Sequence, residues 1–84
     1  MYRVIFSQNA EKQFKKLDKQ LQIRIISSLT RISVNPSNHI ERLVGFPYFK
    51  LRVGDYKIII DLKISESIIF LIKIGHRKDI YDKL

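Results

Sequence analysis

The stretch Tyr48-Phe49-Lys50-Leu51-Arg52-Val53-Gly54-Asp55-Tyr56-Lys57-Ile58-Ile59-Ile60 decides the fold. Two runs rich in β-branched and aromatic residues flank Gly54-Asp55, and a Gly/Asp pair between such runs is the chemistry of a tight β-hairpin. Strands are expected over 48–52 and 56–64, with Val53-Gly54-Asp55 as the turn between them. Ser65-Glu66-Ser67 then interrupts the chain before a third β-branched run, Ile68 to Ile74, so the three strands form an antiparallel meander. Gly75 is expected to end the last strand, and His76-Arg77-Lys78-Asp79-Ile80-Tyr81 to form a short helical turn anchored by Ile80.

Upstream of the hairpin the periodicity changes. Tyr2, Val4 and Phe6 alternate as in a short strand bounded by Ser7, which also suits the N-cap of a helix. In that helix Ala10, Phe14 and Leu17 fall on one face and Glu11, Lys12, Lys15 and Lys16 on the other. Asp18 caps a second helix whose Leu21, Ile25, Ile26, Leu29 and Ile32 form a wide apolar face, ended by Asn35-Pro36. Residues 36–47 read as a long ordered loop, pinned by Ile40, Leu43, Val44 and Phe46. The order is βααβββ, an α+β fold with a helix hairpin on one face of a mainly antiparallel four-stranded sheet and the other face open. In the strand over 56–64, Ile58, Ile60, Leu62 and Ile64 would face the helices, and Lys57, Ile59, Asp61 and Lys63 the open side.

Eighty-four residues, 45% of them hydrophobic, suffice for one compact domain, expected over residues 1–84. The chain has no Cys, which excludes disulfides, thiolate metal sites and Cys nucleophiles, and two His residues argue against a zinc site. No metal or cofactor is expected. The strand-like N-terminus is too short for a signal sequence and no apolar run approaches a membrane span, so a soluble protein of the reducing cytoplasm is expected. Sixteen Lys and Arg against eight Asp and Glu give a formal charge of +8, which calls for a polyanion or an acidic partner.

Lys50 and Arg52 stand two apart on one strand and so point the same way, with Tyr48 at the same parity. The hairpin can bring Lys57 into this row, and the C-terminal segment can bring His76, Arg77 and Tyr81 toward it, although sequence does not fix the register. Such a cluster suits cleavage of RNA, where a 2′-hydroxyl attacks the adjacent phosphate and charge gathers on the non-bridging oxygens. Arg offers those oxygens a bidentate fork, and Tyr offers a base a stacking surface. The plainer reading is a solvated strand face whose charges discourage edge pairing. His76 is an acid–base candidate, but a lone His reads more readily as a hydrogen-bonded positioning residue; His39 reads as a loop residue, and Asp55 and Glu41 are assigned no role.

The text Leu43-Val44-Gly45, Tyr48 to Ile59 and Ile74-Gly75-His76-Arg77-Lys78-Asp79-Ile80-Tyr81 resembles RelE/ParE toxins, as do Phe6-Ser7, Ala10, Lys15-Lys16-Leu17 and the Asn35-Pro36 helix end. The resemblance spans nearly the whole chain. It implies a type II toxin neutralised by a cognate acidic RelB-like antitoxin. In the RelE branch it implies an endoribonuclease, an mRNA interferase that cleaves mRNA in the ribosomal A site. Carried over by position, Lys50 matches a lysine that aids proton transfer or stabilises the transition state, and Arg52 the arginine of the adjoining Leu-Arg pair. Lys57 falls where Arg is common, Arg77 matches an arginine that stabilises phosphate or protonates the leaving group, and Tyr81 a tyrosine that stacks on the message. Tyr48, which stands where one branch has a further lysine, His76 and Lys78 are read as RNA contacts around them. Two other readings stay open: a ParE-like poison of DNA gyrase, and an RNA-binding homologue without strong catalysis. The joint presence of Lys50, Arg52, Lys57, Arg77 and Tyr81 favours cleavage.

Overall fold

The computed structural model describes residues 1–81; the end of the expected domain, residues 82–84, lies outside the described residues. The elements are β1 (Arg3–Phe6), α1 (Gln8–Lys15), α2 (Lys19–Val34), β2 (Glu41–Arg42), β3 (Phe49–Val53), β4 (Tyr56–Lys63) and β5 (Ile68–His76). The helix boundaries follow their caps. Ser7 Oγ accepts the Ala10 N–H at 3.0 Å, Asp18 Oδ1 accepts that of Leu21 at 2.8 Å, and α2 stops at Val34 before Asn35-Pro36. Among the described residues no helix is long and apolar enough to cross a membrane.

The architecture is α+β, as expected, but the sheet has five strands in the order β1-β5-β4-β3-β2 rather than four. The added strand is Glu41–Arg42, inside the expected loop; it pairs antiparallel with Lys50 and Phe49. Two residues are too few to carry periodicity; beside the ladder, Leu43 N–H donates to Tyr48 O at 3.0 Å and the Arg42 guanidinium lies 5.5 Å from the Phe49 ring centroid. All pairings are antiparallel except β1 with β5. Gly54 and Asp55 form the two-residue β3–β4 loop, with Gly54 at φ +61°. Positive φ at the first loop position suits a type II′ turn, whose twist matches the flanking strands.

The main core lies between helices and sheet. Ala10, Ile25, Leu29 and Ile32 pack on Leu51, Val53, Ile58, Ile60, Ile69, Leu71 and Ile74. Ile64 leaves the expected apolar face: it falls in a 3₁₀ turn, 68% exposed, because β4 ends at Lys63. The opposite face is partly covered rather than open, since Leu43, Ile59 and Ile80 form a second buried cluster flanked by Tyr48 and Ile72.

One irregularity shapes that second face. The β4–β5 register passes from Ile59↔Lys73 to Ile60↔Leu71, leaving Ile72 as an extra residue in a β-bulge. The irregular backbone is satisfied from α1 and its cap: Ser7 Oγ donates to the Ile72 carbonyl at 2.9 Å, and Gln13 Oε1 accepts the Ile74 N–H at 2.6 Å. The bulge reverses side-chain parity, so Ile69, Leu71 and Ile74 all face the helices while Gly75 takes the other face. β5 also runs past Gly75 to His76, which pairs with Tyr56. Residues 77–81 form hydrogen-bonded turns rather than a regular helix, with Ile80 N–H donating to His76 O at 3.0 Å.

Candidate functional site

The β3–β4 register places Arg52 directly opposite Lys57 and Lys50 opposite Ile59, which settles the row that the sequence left open. Lys50, Arg52 and Lys57 line a cleft of about 290 Å³ together with His39 and Glu41. Among the described residues, Glu11 pairs with Lys15 and Asp61 with Lys63, whereas the three cleft cations have no carboxylate within ion-pair distance. Their mutual repulsion is therefore available to an incoming anion. No three His, Asp or Glu residues converge as metal ligands among the described residues.

The C-terminal segment closes one side. Arg77 N–H donates to the Asp55 carbonyl at 2.8 Å, the chain turns, and Ile80 seats on Ile59 and Leu43. Gly75 eases this seating: a Cβ there would stand 3.2 Å from Ile80 Cδ1, tighter than ordinary packing. Tyr81 is thereby delivered to the cations. Lys57 Nζ donates to its hydroxyl at 3.0 Å, while lying 5.2 Å from the ring centroid, so the ammonium addresses the oxygen rather than the ring face. This hydrogen bond holds the Tyr81 pKa below its ordinary 10.0; burial opposes the shift, and Lys50 reinforces it through charge and hydrogen bonding.

Of the residues read from the sequence, the fold therefore gathers Lys50, Arg52, Lys57 and Tyr81. Tyr48 flanks the same face, its ring stacked on Phe46 at 6.5 Å. Arg77 and Lys78 are exposed and neither lines the cleft. His76 sits on the helix side: its ring meets Tyr56 edge-on at 5.5 Å, and its Nδ1 accepts the Lys78 N–H at 3.3 Å. Conversely, His39 and Glu41, to which sequence reasoning gave no part, line the cleft, with Glu41 opposite Lys50 across the β2–β3 ladder. The only local signal for Glu41 was its place beside Arg42 within a polar loop.

A small α+β protein with a cationic cleft on the sheet face away from its helices is the class defined by these features. The family model described as "ParE toxin of type II toxin-antitoxin system, parDE" matches residues 4–81, and the chain belongs to that family, within the RelE/ParE toxin superfamily. The fold agrees with solved relatives. The isolated E. coli RelE toxin superposes with a TM-score of 0.81 at 20% identity, covering 90% of this chain and 84% of that one. The toxin in the intact E. coli RelBE toxin–antitoxin complex gives 0.79 at 22% identity, covering 90% and 96%. A chain of the Methanococcus jannaschii RelB–RelE complex gives 0.69 at 27% identity, covering 95% and 98%. Among curated protein sequences no significant match is found.

Proposed function

We propose that this type II toxin is a cytoplasmic, ribosome-dependent endoribonuclease that cleaves mRNA in the A site and inhibits translation. The observation that carries the reading is the Tyr81 hydroxyl held by Lys57 beside Lys50 in a cleft whose cations, among the described residues, meet no carboxylate at ion-pair distance. In the proposed reaction the 2′-oxygen attacks phosphorus, the bond to the 5′-oxygen breaks, and a 2′,3′-cyclic phosphate and a 5′-hydroxyl result. Lys50, Arg52 and Lys57 stabilise the charge on the phosphoryl oxygens. Glu41, the carboxylate of the cleft, accepts the 2′-proton. Because Lys57 occupies an acceptor site of the Tyr81 oxygen, the phenol O–H stays free to protonate the leaving 5′-oxygen, and its lowered pKa favours that transfer. Exposed Arg77 and Lys78 and half-buried Tyr48 are read as contacts to the flanking message, and His76 as a positioning residue for the strand end.

The proposed partner is an acidic RelB-like antitoxin, supported by the +8 charge and by the exposed Ile23, Ile26 and Val34 on α2. The solved RelE relatives include complexes with RelB. A second reading, poisoning of DNA gyrase, is favoured by the match to the ParE family model. Primer extension on programmed ribosomes separates them. New A-site cuts with the wild type, reduced at least about 10²-fold by Lys57→Ala, are expected. Intact message together with inhibited gyrase supercoiling would replace this reading with the second.

A further inference from the structure

Arg24, Ser28 and Arg31 recur at i, i+4 and i+7 on α2, which places them on one helix face. With Ser27 they line a cavity of about 400 Å³ whose opposite wall is Arg52, Val53 and Gly54 at the end of β3. Arg24 lies flat against the hairpin: a Cβ on Gly54 would meet its Nη1 at 3.1 Å. Arg52 Nε donates to the Gly54 carbonyl at 3.2 Å, which orients its guanidinium and leaves both Nη groups for another acceptor. Arg52 also lines the cleft that holds Lys50 and Lys57, so the two cavities share one wall and one cation.

Among the described residues none of these three guanidiniums is ion-paired. Asp18 and Asp55 border a neighbouring groove on the other side of Arg24, but the Asp18 carboxylate is engaged by the Leu21 N–H. Three fixed positive charges and two serine hydroxyls around one cavity make a receptor for an anion with several acceptor oxygens. Arg24 and Arg31 are about 10 Å apart along the helix axis, wider than the spacing of successive phosphates in a stacked strand. We propose that this groove is a second anion subsite, which holds backbone phosphates of the RNA strand next to the one cleaved. The inference rests on the endoribonuclease reading and extends it, with Arg52 as the hinge between the two sites.

The test is fluorescence anisotropy of a labelled single-stranded RNA of about twelve nucleotides, within the range of single-strand site sizes, titrated across a salt series. Wild-type protein is compared with the Arg24→Gln/Arg31→Gln double variant, whose fold is checked by circular dichroism, and with Lys50→Ala. Two lost phosphate contacts should lower the slope of log K against log salt by about 1.4, which corresponds to about 25-fold weaker binding at 0.1 M salt. An unchanged slope in the double variant, with the wild type and Lys50→Ala differing, overturns the subsite and leaves the cleavage reading intact. Absence of RNA binding by the wild type overturns the subsite, while the cleavage reading stands or falls on the primer-extension assay with ribosomes. If the double variant keeps its RNA slope but loses binding to an acidic polyglutamate peptide, the groove belongs to a protein partner and the inference fails.

Discussion

Truncating Ile80 to Ala should detach the segment that delivers Tyr81 while leaving the main core folded. Ile80 is fully buried, yet its neighbours are Leu43, Ile59, Tyr48 and Ile72 rather than the helix-side core. Removing its three outer carbons costs about 2–4 kcal/mol, the transfer loss plus the cavity left behind. What remains to hold residues 77–81 is a few hydrogen bonds, those of Arg77 N–H to Asp55 O and of Asp79 and Ile80 N–H to His76 O among them. The loss should therefore appear as local opening. At about 1.4 kcal/mol per tenfold, hydrogen exchange of the Arg77 and Ile80 amides should speed up about 30- to 700-fold. The amides of Ile58 and Ile60 should keep their wild-type protection. Freed from Lys57, Tyr81 should titrate closer to 10.0. Unchanged exchange at Arg77, or equal acceleration at Ile58 and Ile60, would refute the idea that a separate apolar cluster docks the segment.

Lys57→Met removes the main cause of the lowered Tyr81 pKa, so phenolate absorbance, referenced to Tyr81→Phe, should show the titration moving up toward 10.0. Because the folded-state pKa is depressed, the contribution of this group to stability is present above pH 10.0 and is lost as pH falls through the lowered value; Lys57→Met should flatten that alkaline dependence in urea melts. Gly54→Ala places a side chain at φ +61° against the Arg24 guanidinium and should cost about 1–2 kcal/mol in urea unfolding, with Gly54→Asn costing less. Ser7→Ala removes both the α1 cap and the donor to Ile72 O, so it should cost about 2–3 kcal/mol, more than the roughly 1 kcal/mol of a cap alone.

Local chemistry made most of the fold legible. Ser7, Asp18 and Asn35-Pro36 bound the helices because capping and proline sterics act within a few residues. Gly54-Asp55 marked the hairpin for the same reason, whereas the Arg52–Lys57 pairing needed the strand register that sequence left open. What escaped depends on partners far along the chain. β2 is defined only by its ladder to Lys50 and Phe49, so Glu41 read as a loop residue although it faces the cations. The bulge at Ile72 is supported by Ser7 and Gln13, 65 and 61 residues away from the groups they bind. No window of local sequence contains both halves of that interaction.

The bulge also explains why the cleft receives Tyr81 and not His76. In an unbroken strand with Ile69 and Leu71 toward the helices, even-numbered residues would face the cations, and His76 would stand in their row. The extra residue at Ile72 turns His76 inward to Tyr56 and presents Gly75 beside Lys57 instead. A residue without a Cβ there leaves Ile80 its seat without a tight 3.2 Å contact, and with Ile80 seated the Tyr81 hydroxyl meets Lys57. An irregularity in one strand, held by α1 and its cap, thus decides which aromatic side chain the cationic cleft receives.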